Sequence, residues 1–200
     1  MTVYVTGDIH GGLDMQKLRD WELGDSLTSD DYLIIAGDFG FPWDFSAEEC
    51  ADIAWLESRP YTVLFVDGNH ERFDHWAGRP MELWHGGLTQ RLSDTSPIRR
   101  LTRGEVFELD GSTVFTMGGA TSVDKEYRVP YSSWWPQELP VSATLRKHGQ
   151  GSIAWAGRST TWSPTPAPRA CSRPRFILHP AGITPKSIGS RRFSMSWRIA

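Results

Sequence analysis

An apolar stretch leads directly into polar residues at Thr2-Val3-Tyr4-Val5-Thr6-Gly7-Asp8-Ile9-His10. The same arrangement returns twice, where Tyr32–Ala36 precedes Gly37-Asp38 and Thr62–Val66 leads to Gly68-Asn69-His70-Glu71. Each apolar run has the length and composition of a buried strand. Because the carboxyl ends of parallel strands meet at one edge of a sheet, we expect the three polar motifs to lie together.

The segments between these strands have helical features. Apolar spacing predicts a helix over 13–21, and Ser46 with Glu49 three residues later forms the capping-box pattern for a helix over about 47–57. We expect Cys50, on that second helix, to be buried and inert. Alternation of strands and helices favours a parallel sheet and an α/β fold.

A different pattern follows residue 100. Residues 105–109 and 113–117 flank an Asp110-Gly111 pair, which predicts a β-hairpin. The aromatic loop beyond it includes Trp134-Trp135, for which loop packing and base stacking are the two interpretations. No element is predicted past Pro140.

Composition limits the class of protein. Two hundred residues suit one domain, and no apolar run approaches the ~20 residues that cross a bilayer. The N-terminus lacks the basic and apolar regions of a signal peptide, and two cysteines are too few for a disulfide framework. These features predict a cytoplasmic location and no membrane partner.

Charge divides the chain sharply. Residues 1–140 hold all 24 acidic residues and 11 of the 21 Lys and Arg, a formal charge of −13. Residues 141–200 hold the other ten basic residues and no acid, a charge of +10. We therefore predict a domain over 1–140 and an atypical basic tail, rich in Ser, Pro and Arg, that is poorly ordered.

The polar motifs have the chemistry of a metal site. Asp8 and His10, two residues apart, would point to the same side of an extended segment and hold one divalent cation. Asp38 would bridge this cation to a second one, which Asn69 would also bind. His70 would remain for acid–base chemistry. Mixed imidazole, carboxylate and amide ligands favour Mn, Fe or Zn.

These residues resemble a known family. The set Gly-Asp-x-His, Gly-Asp and Gly-Asn-His-Glu is similar to that of the calcineurin-like metallophosphoesterases, over about residues 1–140. Matches to a bacterial and phage-like branch run through residues 84–87, 118–125 and 133–136. The resemblance implies a sandwich of two mixed sheets flanked by helices, and two metals that hydrolyse phosphate mono- or diesters. It also implies that Asn69 and His70 contact the substrate phosphate, with His70 as the general acid.

The C-terminal part of the family pattern is missing from the sequence. The family closes its metal centre with a strand ending in His and a Gly-His-x-His loop, whereas only His148 and His179 occur after residue 85. We expect a fold incomplete at its C-terminus, a weakened second metal site, and weak or no activity. One hypothesis is that residues from about 141 onward are a frame-shifted translation, because an alternative frame across Ala154 to Pro168 permits a strand ending in His.

Other interpretations stay open at this point. Asp8 and Asp38 also suit helix caps, Asn69 a turn, and His70 a core or capping position. The chain as a whole also suits a non-enzymatic remnant or a binding module whose basic tail contacts nucleic acid. The substrate of the enzymatic reading is a phosphorylated compound of unknown type.

Overall fold

A computed structural model describes residues 1–140, and beyond them only the backbone of three short strands, at 153–155, 177–178 and 194–195. The rest of the predicted basic tail lies outside the described residues. The predictions of poor order, of an incomplete C-terminus and of a frame-shifted origin fall largely on that part of the chain.

Eleven strands form two sheets in the part of the chain that the structure describes. In chain order they are β1 Val3–Thr6, β2 Tyr32–Ala36, β3 Thr62–Val66, β4 Glu82–Trp84, β5 Gly87–Arg91, β6 Arg99–Leu101, β7 Val106–Leu109, β8 Ser112–Met117, β9 Ile153–Trp155, β10 Ile177–Leu178 and β11 Ser194–Met195. The larger sheet has the order β10-β11-β1-β2-β3-β6-β5-β4, and the smaller has the order β7-β8-β9.

The centre of the larger sheet is parallel, as the sequence predicts. β1 pairs with β2, β2 with β3 and β3 with β6 in parallel. At one side of the sheet, β5 pairs antiparallel with both β6 and β4. Strands β4 to β6 are short and were not among the predicted elements. The hairpin of β7 and β8 is confirmed, and its turn residues Asp110 and Gly111 both have positive φ.

Both faces of the larger sheet are covered. Because alternate residues of a strand point to opposite faces, Ile34 and Leu64 pack towards the smaller sheet while Leu33 and Ile35 pack towards the helices. The core between the sheets also includes Val3, Val5, Val66, Phe107, Leu109 and Val114. This arrangement confirms the predicted sandwich of two mixed sheets flanked by helices.

Three α-helices of the described chain lie on the face of the larger sheet opposite the smaller sheet: α1 Met15–Arg19, α2 Ala47–Glu57 and α3 Phe73–Ala77. The helix predicted over 13–21 is shorter than expected, because Leu13 belongs to a preceding 3₁₀ turn and is 84% exposed. α2 agrees with the prediction, and Ser46 accepts the Glu49 amide at its start.

Two details of α2 differ from the sequence analysis. The Glu49 carboxylate does not return to the Ser46 amide, because it accepts the amides of Trp43, Asp44 and Phe45 in the preceding loop. The expectation of a buried Cys50 is wrong. Its side chain lies on the solvent side of α2, where it is exposed and free.

Candidate metal centre

The three polar motifs lie side by side at one edge of the larger sheet. Strands β1, β2 and β3 are parallel neighbours, so the loops that follow them meet. The amide of Asp8 donates to the carbonyl of Gly37 (3.0 Å), and the amide of His10 donates to that of Asp38 (2.9 Å). The loop after β2 is joined in turn to β3, since Gly37 donates to Val66 (2.9 Å). Sheet topology therefore brings the motifs together as expected.

The backbone at this edge is left-handed rather than extended. Asp8, His10 and Asp38 have φ values of 55°, 47° and 50°, which L residues other than Asn, Asp and His adopt rarely. The expectation that Asp8 and His10 share the face of an extended segment is therefore wrong, because β1 ends at Thr6 and the chain turns there. Strained backbone of this kind concentrates at functional sites.

His10, Asp38 and His70 form a compact group. Nε2 of His10 lies 3.7 Å from Oδ2 of Asp38, and Nδ1 of His70 lies 3.4 Å from the same oxygen. One ligand atom from each residue lies within 4.8 Å of the other two. Nδ1 of His70 is buried, and at 3.4 Å from Oδ2 of Asp38 it makes no well-formed hydrogen bond. A buried nitrogen of this kind beside a carboxylate and a second imidazole fits a divalent transition metal.

The Asp38 carboxylate links the polar motif after β2 to the one after β3. Its Oδ1 accepts the amides of Asn69 (2.9 Å) and His70 (3.0 Å), while Oδ2 faces the two histidines. Burial acts to raise the pKa of Asp38, but contacts with His70 and the charge of His10 outweigh it and lower the pKa. The Asp38 carboxylate comes so close to the backbone of Gly68 that a Cβ at this position would overlap it, so the position requires glycine. Asp38 is thus kept ionised, and it does not cap a helix.

Asp8 and Asn69 flank this compact group. Asp8 is exposed and is not part of the group of His10, Asp38 and His70. Although the residue as a whole is exposed, partial burial of its carboxyl, followed by the nearby Asp38 carboxylate, raises the pKa of Asp8. The Asp38 carboxylate thus disfavours ionisation of Asp8, and a cation bound between the two carboxylates would relieve this repulsion.

The amide of Asn69 is oriented by a chain of hydrogen bonds. The hydroxyl of buried Ser122 donates to Glu138 (2.7 Å), a carboxylate that is itself 2% exposed. Since its single proton is used there, the Ser122 oxygen accepts from Nδ2 of Asn69 (3.1 Å). The Asn69 carbonyl oxygen is thereby the end of the amide left for another ligand.

The buried carboxylate of Glu71 stabilises the loops that follow β2 and β3, a role that the sequence analysis did not predict. Glu71 is fully buried and accepts the amides of Phe39 (2.9 Å), Gly40 (3.1 Å) and Gly68 (3.1 Å). Burial raises the pKa of Glu71 to about 8, against the opposite effect of these amide donors. Its place directly after His70 was the only signal in the sequence, and nothing there indicated which amides it would reach.

A cleft of about 630 Å³ opens beside the group, which is enough for a small organic ligand. His10 and His70 lie on its wall with Arg128, whose Nη2 is within hydrogen-bonding distance of Nε2 of His70. The aromatic loop contributes to packing here, since Trp135 is 2% exposed and packs edge-on against Trp43 (5.4 Å between centroids). Base stacking by Trp135 is thus excluded by burial.

A family model for calcineurin-like phosphoesterases matches residues 1–177. The chain belongs to the calcineurin-like phosphoesterase family. This match confirms the resemblance and extends past residue 140, where the motifs recognised in the sequence end. It does not resolve the bacterial and phage-like branch, which stays a prediction. No curated protein and no solved structure matches the chain significantly.

Membership of this family implies a metal-dependent phosphoesterase, and the donor atoms of His10, Asp38 and His70 fit such a metal. No helix in the described part of the chain has the length and apolar character needed to span a bilayer.

The other two described histidines bond to backbone oxygens, His75 to Leu92 (3.2 Å) and His85 to Glu108 (3.1 Å). Both are therefore satisfied outside the candidate metal centre.

The orienting role of Ser122 gives a first testable prediction. In Ser122→Ala the amide of Asn69, which the sequence predicts as a metal ligand, loses its acceptor and is free to rotate, so we expect the affinity for Mn²⁺ to fall by about 10–100-fold. Calorimetric titration of the protein with Mn²⁺ measures this. Ser132→Ala is the matched control, because Ser132 is exposed on the same loop. Equal Mn²⁺ affinities in the two variants would contradict the role.

Proposed function

We propose that the protein hydrolyses a phosphate mono- or diester with a metal-activated water. The observation that carries the proposal is the convergence of His10, buried Asp38 and Nδ1 of His70, two of which, His10 and His70, lie on the wall of the cleft. Divalent cations, when bound, act as Lewis acids that activate water, and they stabilise negative charge on the transferred phosphoryl group.

The proposed ligands divide between two cations of the Mn, Fe or Zn type. Asp8 and His10 would hold the first cation, Asn69 the second, and Asp38 both. The two hydrogen bonds to Oδ1 of Asp38 support this assignment, because they fix the carboxylate between the loops that carry the other ligands. The orientation of the Asn69 amide by Ser122 supports a role for its carbonyl oxygen.

His70 is proposed as the general acid, contacting the substrate phosphate together with Asn69. It would hold a proton near the leaving alkoxide and deliver it as the ester bond breaks. Two of its features support a place at the reacting centre: the 3.4 Å between its Nδ1 and Oδ2 of Asp38, and its position on the wall of the cleft. The group of three donor atoms equally allows His70 to ligate the metal through Nδ1.

We further propose that activity in this chain is weak. Asp38 and Asn69 alone are a small ligand set for the second cation, and His148 and His179 lie outside the described residues. Binding of nucleic acid by the basic tail stays a prediction for the same reason. The proposed partner is a phosphorylated substrate whose leaving group is not specified.

Hydrolysis of an aryl phosphate and of a bis-aryl phosphate, with and without added Mn²⁺, tests the function. We expect release of the aryl alcohol that rises with Mn²⁺ and is abolished by a chelator. Activity that a chelator leaves unchanged would contradict the metal mechanism. Hydrolysis of neither ester, by folded protein shown calorimetrically to bind Mn²⁺, would favour the non-enzymatic alternative.

A further inference from the structure

We propose that Arg128 binds a non-bridging oxygen of the substrate phosphate through Nη2, and that it leaves Nε2 of His70 when it does so. This inference rests on the proposed function, because it assigns a phosphate-binding group to the same cleft. Arg128 lies 58 residues beyond His70 in the sequence and approaches it only in the folded protein.

The three nitrogens of the Arg128 guanidinium have different surroundings. Nε donates to Oδ1 of Asp124 (2.7 Å), and Nη1 donates to the carbonyl of Ser133 (3.0 Å). Both partners belong to the loop that carries Arg128. The third nitrogen, Nη2, points out of this loop to His70 in the cleft. The loop thus holds the guanidinium in place and leaves one end for a ligand.

Arg128 is the positive group that an anion in this cleft would meet. Arg128 is the only Lys or Arg among the described residues that line the cleft, and Asp44, Glu48, Glu49 and Asp52 are the carboxylates on its walls. A phosphate dianion entering beside these acids needs a compensating positive charge besides the cations. A guanidinium supplies that charge in a planar geometry that matches phosphate oxygens.

The contact with His70 is one that a phosphate would replace. A guanidinium only donates hydrogen bonds, so Nε2 of His70 has to be the acceptor while the contact lasts. An anionic phosphate oxygen is a stronger acceptor than a neutral imidazole nitrogen. Substrate would therefore take Nη2 from His70, and Nε2 of His70 would become available to face the bound ester.

The same loop also holds Ser122, which orients the Asn69 amide. Arg103 fixes the end of this segment by donating to the carbonyls of Gln137 (2.8 Å) and Glu138 (3.2 Å). Arg103 is itself half-buried and paired with buried Asp67, directly after β3. The loop is thus anchored to the larger sheet, which gives Arg128 a defined position relative to the candidate metal ligands.

Binding of inorganic phosphate to the full chain, with Mn²⁺ present, tests this inference without requiring turnover. We expect the dissociation constant for phosphate in Arg128→Ala to rise by about 10–100-fold, the range for loss of a charge-assisted hydrogen bond. Arg128→Lys keeps the positive charge but loses the planar guanidinium with its several N–H donors, and we expect an intermediate dissociation constant for phosphate. Arg79→Ala is the control, because Arg79 pairs with exposed Asp94 and is not among the cleft residues.

The outcomes separate this inference from the proposed function. Phosphate binding that is equal in wild type, Arg128→Ala and Arg79→Ala, in protein that hydrolyses aryl phosphate, would overturn the role of Arg128 and leave the function standing. Phosphate binding that depends on Arg128 in a chain without hydrolysis would keep the role and overturn the function. If Arg128→Ala does not fold, Arg128→Lys decides: affinity equal to wild type would overturn the role.

A kinetic measurement distinguishes phosphate contact from support of the loop. We expect Arg128→Ala to raise KM for aryl phosphate, with thermal unfolding within a few degrees of wild type. Asp124→Asn keeps an acceptor oxygen for Nε of Arg128 and should change KM much less. Equal changes of KM in both variants would indicate that Arg128 acts only through the loop, and would overturn the proposed contact.

Discussion

Replacement of Asp38 by Asn should reduce metal-dependent hydrolysis at least about 100-fold while the protein stays folded. Loss of an outer hydrogen-bond partner already costs about 10–100-fold in metal affinity or activity, and Asp38 is proposed to contact both cations itself. The amide oxygen of Asn can still accept the amides of Asn69 and His70, which the carboxylate accepts at 2.9 and 3.0 Å. Initial rates with saturating Mn²⁺ measure the effect.

Asp44→Asn is the matched control for this experiment. Asp44 lines the cleft beside the candidate metal centre, is exposed, and accepts the Ser46 amide (2.9 Å), a bond that Asn also makes. Both variants therefore remove one negative charge in or beside the cleft, and only Asp38→Asn removes a proposed ligand. Similar activities in Asp38→Asn and Asp44→Asn would contradict the central position of Asp38.

Replacement of Glu71 by Ala should lower the free energy of unfolding by about 3 kcal/mol or more. It removes the acceptor of three amides, those of Phe39, Gly40 and Gly68, and a buried group left without a partner costs about 1–3 kcal/mol. This is a large share of the roughly 5–15 kcal/mol that stabilises a typical domain. Urea denaturation followed by tryptophan fluorescence measures the loss.

The position of Glu71 predicts a second effect on the same variant. The amides that it accepts belong to the loops carrying Asp38 and Asn69, so affinity for Mn²⁺ should fall together with stability. Glu126→Ala is the control, since Glu126 is exposed. Glu71→Gln should lie between the two, because its amide NH₂ would face one of the backbone donors. A stability of Glu71→Ala equal to that of Glu126→Ala would refute the bracing role.

The parts of the fold that were predicted correctly are those where one strong local signal decides the structure. The uninterrupted apolar run of Tyr32–Ala36 is buried along its whole length, as befits a central parallel strand. Ser46 begins α2, and Asp110-Gly111 forms the turn of the hairpin. In each case propensity, pattern and burial agree.

The strands that were missed carry charges where an apolar pattern would be expected. β6 reads Arg99-Arg100-Leu101, and its charges are satisfied only by partners elsewhere in the fold. Arg99 pairs with Glu82 on β4 (2.8 Å), and Arg100 pairs with the buried carboxylate of Asp67 (3.1 Å). Such pairing permits a strand that periodicity alone does not indicate.

By itself, the sequence determined the parallel strands, the three polar motifs at their ends and the family, because these depend on residues that are close along the chain. Tertiary structure alone decided the left-handed backbone at Asp8, His10 and Asp38, and the contacts of Glu71, Ser122 and Arg128. The physical reason is distance: Arg128 meets His70 across 58 residues and Ser122 meets Asn69 across 53. Such contacts form only when the sheet edge and the loops around it pack together.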